Sequence, residues 1–138
     1  MPSNEKVLEV NQLKTSFFTD DGEIPSVNGV SFSLKKGKIT AIVGESGSGK
    51  SVTSYSIMRL LDKSGKIVNG KVMLNNQDLV NLSQKQMRKI RGNQISMIFQ
   101  EPLTSLNPVF KIGKQLAEAI SLHEDLSKKE IKQKVLIC

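Results

Sequence analysis

The chain has 138 residues, of which 38% are hydrophobic and 24% charged, a composition that is typical of one globular domain and excludes a disordered or fibrous chain. Lys and Arg (20) outnumber Asp and Glu (13), giving a formal net charge of +7. The basic residues fall in short clusters and aromatic residues make up only 4% of the chain, so we expect no nucleic-acid partner.

The cysteine and apolar content indicate the kind of environment in which the chain works. The single cysteine, Cys138, allows no intramolecular disulfide and indicates a reducing environment. No apolar run approaches the roughly 20 residues that cross a bilayer, and the first ten residues contain no stretch resembling a signal peptide. If the protein works at a membrane, we expect a separate partner to span it.

In chain order, the apolar pattern predicts strands first. Leu8 and Val10 alternate with polar residues and open a strand that runs toward Phe17, after which residues 19–22 form a turn. Residues 30–34 alternate again. Residues 39–43 form an unbroken, β-branched apolar run, which predicts a strand buried on both faces of a parallel sheet.

Helices dominate the remainder of the prediction. The expected elements are a helix from residue 50 to residue 64, a strand around residues 72–74, a basic helix capped by Ser83 and ended by Gly92, a buried strand at residues 95–99, a loop at residues 101–108, and two amphipathic helices that follow residues 111 and 127.

One motif carries chemistry. Residues 44–51, Gly-Glu-Ser-Gly-Ser-Gly-Lys-Ser, fit G-x-x-x-x-G-K-[ST] at every fixed position, between a predicted strand and a predicted helix. The glycines allow backbone amides to face a phosphate, Lys50 can reach the β- and γ-phosphates, and the Ser51 hydroxyl can ligate Mg²⁺. The positive end of the following helix adds to this site. The candidate phosphate-binding residues are Gly44, Glu45, Ser46, Gly47, Ser48, Gly49, Lys50 and Ser51.

A second segment carries a family resemblance. Residues 97–108, Met-Ile-Phe-Gln-Glu-Pro-Leu-Thr-Ser-Leu-Asn-Pro, with the phosphate motif and the Val-Ser-Phe of residues 30–32, closely resemble the ATPase subunits of ATP-binding cassette (ABC) importers. Its motif, Gln-Glu-Pro-x-Thr-Ser-Leu-Asn-Pro, resembles that of the branch of the family that serves dipeptides, oligopeptides and nickel. The resemblance implies an α/β P-loop NTPase fold of the ABC ATPase type, with a parallel core sheet and antiparallel N-terminal strands, C-terminally incomplete.

The resemblance also implies roles for two further residues. Gln100 corresponds to the family's glutamine that contacts Mg²⁺ and the attacking water, which makes it a catalytic and metal-binding candidate. Phe17 falls where the family places an aromatic side chain that stacks on adenine, although Phe17 or Phe18 can equally fill the core. The implied cofactors are ATP and Mg²⁺.

Partners and location follow from the same resemblance. Residues 101–108 correspond to the loop that faces the membrane-spanning transporter subunits. A second ATPase subunit, identical or different, would complete the site. The complete protein would lie at the cytoplasmic face of the plasma membrane and couple ATP binding and hydrolysis to the import of di- or oligopeptides.

Parts of the family pattern are missing from the sequence. Residues 1–138 resemble the N-terminal part of one ATP-binding domain, with no signature, Walker B or switch-histidine region. The Leu-Ser-Gln-Lys-Gln of residues 82–86 lacks the signature's glycines, and no apolar strand ends in Asp or Glu. We therefore expect this chain alone not to hydrolyse ATP efficiently. Two alternatives remain open: a non-hydrolysing nucleotide-binding fragment, and another P-loop kinase or GTPase.

Overall fold

In the computed structural model, which describes residues 5–100 and 106–137, the chain divides into two compact units, Met1–Met87 and Arg88–Cys138. The first unit contains a β-sheet and the helix that follows the phosphate motif. The second contains two paired helices near the end of the chain. Every helix of the described part of the chain is too short or too polar to span a bilayer.

The first unit is built on a four-stranded antiparallel sheet with the order β2-β1-β3-β4. Its strands are β1 (Lys6–Thr19), β2 (Gly22–Lys35), β3 (Gly65–Leu74) and β4 (Gln77–Asp78). The first two form a hairpin that closes at the Thr19 and Gly22 pair, so the predicted strand, turn and second strand are confirmed. The turn between β3 and β4 is Asn75-Asn76, in which both residues have a positive φ, as a tight two-residue hairpin requires.

An irregularity in β1 decides which side chains enter the core. Leu8 and Val10 are buried on one face, and Gln12 then adopts a φ of 48° where the register with β2 shifts. The added residue moves the buried set from even-numbered to odd-numbered positions, so that Leu13 and Thr15 continue the same buried face. Helix α1 (Lys50–Met58) contacts this sheet and buries Thr53, Ser56, Ile57 and Met58.

The first helix ends earlier than the sequence pattern predicts. It begins at Lys50 as expected but stops at Met58, because Arg59 adopts a left-handed conformation with a φ of 51°. The Leu60 amide donates to the Tyr55 carbonyl at 2.8 Å and closes the helix end. The Arg59 guanidinium reaches the carbonyls of Leu79 and Leu82, and this tertiary contact accompanies the early stop.

The two predicted buried strands are where the structure departs most from expectation. Residues 39–43 form no strand, and Ile39 is 100% and Val43 88% exposed. At residues 95–99 a single parallel bridge joins Ile95 to Arg91, and Ile98 is 93% exposed. A buried parallel strand needs a hydrogen-bonded neighbour on each side. Within the described ranges, neither segment joins the four-stranded sheet.

Capping residues define the helices in and near the second unit. Helix α2 (Gln84–Ile90) begins at a reciprocal cap, in which the Gln86 amide donates to the Ser83 hydroxyl and the Ser83 amide to the Gln86 side chain. Helices α3 (Ile112–His123) and α4 (Lys128–Ile137) pack against each other. The predicted Ser83 cap and both amphipathic helices are confirmed.

Helix α4 begins with a second reciprocal cap. The hydroxyl of Ser127 donates to the Glu130 carboxylate at 2.6 Å and its amide at 2.8 Å, while the Glu130 amide approaches the same hydroxyl at 3.4 Å. Both bonds favour the ionised carboxylate and hold the pKa of Glu130 below its ordinary value, and the bond from the hydroxyl has the larger effect. This cap stabilises the helix above the ordinary pKa and is lost as the pH falls through the lowered one.

Replacement of Ser127 by alanine tests this cap. Ser127→Ala removes the hydroxyl donor, so the pKa of Glu130 should rise toward its ordinary value and α4 should fray at its first turn. The carboxyl ¹³C chemical shift of Glu130, followed against pH, measures this pKa in the wild type and in the variant. Identical titration curves for Glu130 in the wild type and in Ser127→Ala would contradict the assigned cause.

Candidate functional site

Two glycines give residues 44–51 their shape. Gly47 and Gly49 have φ values of +80° and +84°, in the left-handed region that glycine adopts without strain. Between them, the Ser48 amide donates to the Glu45 carbonyl at 3.2 Å and closes a turn. Left-handed residues inside such a turn are the backbone arrangement of anion-binding nests. The motif therefore folds as its glycine spacing predicts.

Gly49 also meets the sheet at a distance that leaves no room for a side chain. A Cβ atom on Gly49 would lie 2.5 Å from the carbonyl oxygen of Ser26 and 3.7 Å from a methyl group of Val27, both in β2. Because real Cβ atoms do not approach backbone oxygens so closely, glycine is required here for packing as well as for its φ. Strand β2 thus supports the loop from behind.

The Lys50 ammonium is held by the loop itself. Its Nζ atom donates to the carbonyl oxygens of Gly44 at 2.8 Å and Glu45 at 2.5 Å, with the Ser48 hydroxyl at 3.3 Å. An ammonium has three donors, so these oxygens fix the charge at one place over the loop. A phosphate oxygen that replaced one of them would form a stronger, charge-assisted bond.

The first turn of α1 adds to the positive potential. Gly49 is the residue that precedes the helix, it offers no side-chain cap, and the first turn contains no acidic residue. The amides of this turn therefore remain suited to an anion, and the helix dipole points its positive end toward the loop. Ser51, in the same turn, is exposed. The loop, the lysine and the helix end together have the charge and the amide donors that an anion-binding site requires.

A cavity of about 380 Å³ adjoins the loop. Residues 47–52 form one side, and Ile24, Pro25 and Ser26 of β2 form the other. The sequence pattern does not reveal this β2 wall, since the turn at residues 19–22 predicts a hairpin but not what the hairpin packs against. Ile24 is 53% exposed, so an apolar surface stands beside the polar loop.

Phe17 lies on the strand next to that wall. It pairs with Ile24 across the hairpin and is half-buried, and its ring covers Gly65, where a Cβ atom would lie 2.9 Å from the ring edge. Phe18 is 41% exposed, and the Lys66 ammonium lies 5.2 Å from its ring centroid. Packing against Gly65 buries part of the Phe17 side chain. Stacking of Phe17 on adenine stays a prediction.

Gln100 belongs to the second unit, where it is exposed at the end of residues 95–99. Its catalytic and metal-binding roles stay predictions.

Residues 101–105 of the predicted docking loop lie outside the described residues. Of the remainder, Asn107 is clamped by Gln115, whose side chain accepts from the Asn107 amide at 2.8 Å and donates to the Asn107 carbonyl at 2.9 Å and the Phe110 carbonyl at 3.0 Å. Nothing in the sequence pattern pointed to Gln115.

The donor atoms near the loop bear on whether Mg²⁺ could be held there. The part of the chain that the structure describes has no group of three His, Cys, Asp or Glu side chains that could hold a metal ion. Mg²⁺, however, prefers hard oxygen donors and is commonly held by one or two protein oxygens together with substrate phosphates and water. The exposed Ser51 hydroxyl beside the anion site fits that pattern.

Known proteins that resemble this chain belong to one family. The family model described as ABC transporter matches residues 27–136. The chain is 52% identical over 131 residues to the oligopeptide transport ATP-binding protein AppD of Bacillus subtilis, covering 94% of this chain and 40% of the relative. It is 54% identical over 133 residues to the dipeptide transport ATP-binding protein DppD of the same organism, covering 96% and 40%. The chain thus spans about 40% of the length of these relatives.

Solved structures show the fold. The dimeric ATP-binding cassette MJ0796, in a post-hydrolysis state bound to ADP and Pi, superposes with a TM-score of 0.74 at 22% identity, over 95% of this chain and 55% of that one. CbiO1 from Clostridium perfringens, part of the transporter complex cbiONQ, gives a TM-score of 0.64 at 24% identity, over 95% and 48%. The expected α/β fold with antiparallel N-terminal strands is confirmed. This chain covers only about half of each of the two matched chains.

The two loop glycines provide a matched test of the contact with β2. Alanine at either position must adopt a positive φ, but only the Gly49→Ala methyl group meets the Ser26 carbonyl, whereas Gly47 has nothing within 4 Å of its Cβ position. We expect Gly49→Ala to lower the free energy of unfolding by about 1–3 kcal/mol more than Gly47→Ala. Urea denaturation of both variants measures the difference, and equal losses would contradict the contact.

Proposed function

The chain belongs to the ABC transporter family, and from that premise we propose that residues 44–51 bind ATP or ADP together with Mg²⁺. The observation that carries this proposal is the Lys50 ammonium, fixed by loop oxygens over a glycine-built turn at the N-terminus of α1. This arrangement concentrates positive charge and amide donors where a polyphosphate would lie.

Each part of the site has a distinct proposed role. Lys50 offsets the negative charge of the β- and γ-phosphates, and the amides of the loop and of the first turn of α1 hold their oxygens. The Ser51 hydroxyl would help to hold Mg²⁺, which when bound neutralises phosphate charge. For Gln100, the metal-binding and catalytic roles are proposed from the family resemblance alone. Ile24 of the β2 wall lines the cavity and would flank the base. Phe17 pairs with Ile24 across the hairpin, and its stacking on adenine is proposed from the family resemblance. The backbone at Glu45 and Ser46 completes the loop.

The function of the complete protein is proposed from its relatives. AppD and DppD are named as transport ATP-binding proteins for oligopeptides and dipeptides. We propose that the complete protein energises an importer of di- or oligopeptides and couples ATP binding and hydrolysis to transport. Catalysis of phosphoryl transfer depends on positioning and charge, and the acidic residue that holds the metal and orients water is one of its recurring parts. No such residue ends an apolar strand in these 138 residues, so the chain alone should bind nucleotide but turn it over poorly.

A non-hydrolysing nucleotide-binding role is therefore the alternative that the residues themselves favour. The fixed glycines, Lys50 and Ser51 support binding, and the hydrolytic machinery that would distinguish an ATPase is not evident in this sequence. The same observation gives no support to a kinase or GTPase, for which no acceptor or base-recognition motif is found.

Docking to a membrane-spanning subunit is proposed for residues 101–108. Directly after them, Val109 is 83%, Phe110 50% and Ile112 60% exposed, so apolar surface is available for a partner beside this loop. The Gln115 clamp holds the end of this loop in one conformation. The complete protein would act with a second ATPase subunit at the cytoplasmic face of the plasma membrane.

Removal of the lysine charge tests nucleotide binding. Lys50→Ala should weaken MgADP binding by at least about tenfold, because it deletes the charge that meets the phosphates. Lys38→Ala removes an equal charge outside the loop and should have little effect. Ser51→Ala should bind ADP nearly as well as the wild type without Mg²⁺ but gain less when Mg²⁺ is added. Isothermal titration calorimetry that gives Lys50→Ala and the wild type the same affinity would refute the assignment.

A further inference from the structure

A pair of buried hydroxyl groups connects the sheet to the helix that follows the phosphate loop. The Oγ1 atom of Thr15 in β1 lies 2.8 Å from the Oγ atom of Ser56 in α1, and both residues are 0% exposed. The Ser56 Oγ atom also donates to the Val52 carbonyl of its own helix at 2.7 Å. Both hydroxyls are therefore satisfied inside the core.

The direction of the bond between them follows from proton counting. A serine hydroxyl has one proton, and Ser56 donates its proton to the Val52 carbonyl. Ser56 must then accept from Thr15, which makes Thr15 the donor between strand and helix. Such a bond adds little net stability, because folding exchanges it for bonds to water, but it is satisfied at only one rotation of the helix.

Two of the contacts between α1 and the sheet limit how the helix can shift, and the hydroxyl pair is the second of them. The first is Gly49, whose backbone lies against Ser26 in β2. Ser56 follows about two helical turns later and is tied to Thr15. One close approach and one directional bond, on neighbouring strands, thus constrain the position and the rotation of the helix, together with the packing of Ile57 and Met58.

Both ends of the proposed nucleotide site depend on this placement. Thr15 lies two positions before Phe17 on β1, and Ser56 lies on the helix that begins with Lys50 and Ser51. We propose, on the basis of the proposed nucleotide binding, that Thr15 and Ser56 are positioning residues. Their bond holds the strand that flanks the base in register with the helix that binds the phosphates.

The test compares a nucleotide with a ligand that has only phosphates. Thr15→Val keeps the side-chain shape but removes the donor, and Ser56→Ala removes the acceptor. Either variant should weaken MgADP binding by about fivefold, while binding of inorganic tripolyphosphate, which needs only the loop and α1, stays within about twofold of the wild type. Thr15→Ser retains the hydroxyl and should restore ADP binding. The double variant should lose no more than either single variant.

Calorimetry and thermal unfolding of the same proteins separate the outcomes. Unchanged ADP affinity in Thr15→Val and Ser56→Ala, with the wild type binding ADP, would overturn the positioning role alone. A parallel loss of ADP and tripolyphosphate binding would also overturn it, because that result indicates general loosening of the core. A wild type that binds neither ligand would overturn the proposed function and this inference together.

Discussion

Gly49 is the point on which the site depends, because there the phosphate loop touches the sheet with no space for a side chain. This close approach fixes where α1 begins, and therefore where its first amides and Lys50 lie. The antiparallel sheet is needed to supply the opposing surface, the backbone of Ser26 in β2. The glycine that the phosphate motif requires for its φ is also the residue that joins the motif to its support.

The rest of the site combines fixed positive charge with hydrogen-bond donors that remain available to an anion. The Lys50 ammonium is held by three loop oxygens, which keep it over the turn but are weaker partners than a phosphate. The start of α1 has neither a side-chain cap nor an acidic first turn, so its amides are not already matched to a carboxylate. Ile24 adds an apolar wall on one side. Charge for the phosphates and an apolar surface for the base are thereby set side by side.

Features that depend on neighbouring residues in the sequence could be predicted, and features that depend on tertiary contacts could not. The hairpin of β1 and β2, the Ser83 cap and the phosphate loop follow from local turn chemistry, capping and glycine spacing. Residues 39–43 have the composition of a buried strand, but burial depends on partner strands that a local pattern does not reveal. The β2 wall could not be predicted because the turn at residues 19–22 does not reveal what the hairpin packs against. The Thr15–Ser56 bond could not be predicted because the bulge at Gln12 decides which face of β1 meets α1.

If the proposed nucleotide contacts the phosphate loop, the start of α1 and the β2 wall, a residue-resolved spectrum must show it. An amide ¹H–¹⁵N spectrum of the chain titrated with MgADP reports every backbone position at once. We expect the largest shifts at residues 47–52, followed by Ile24 and Ser26, with little change in the groove that Ala117 and Ile131 line between α3 and α4. Largest shifts in that groove, with residues 47–52 unmoved, would contradict these contacts.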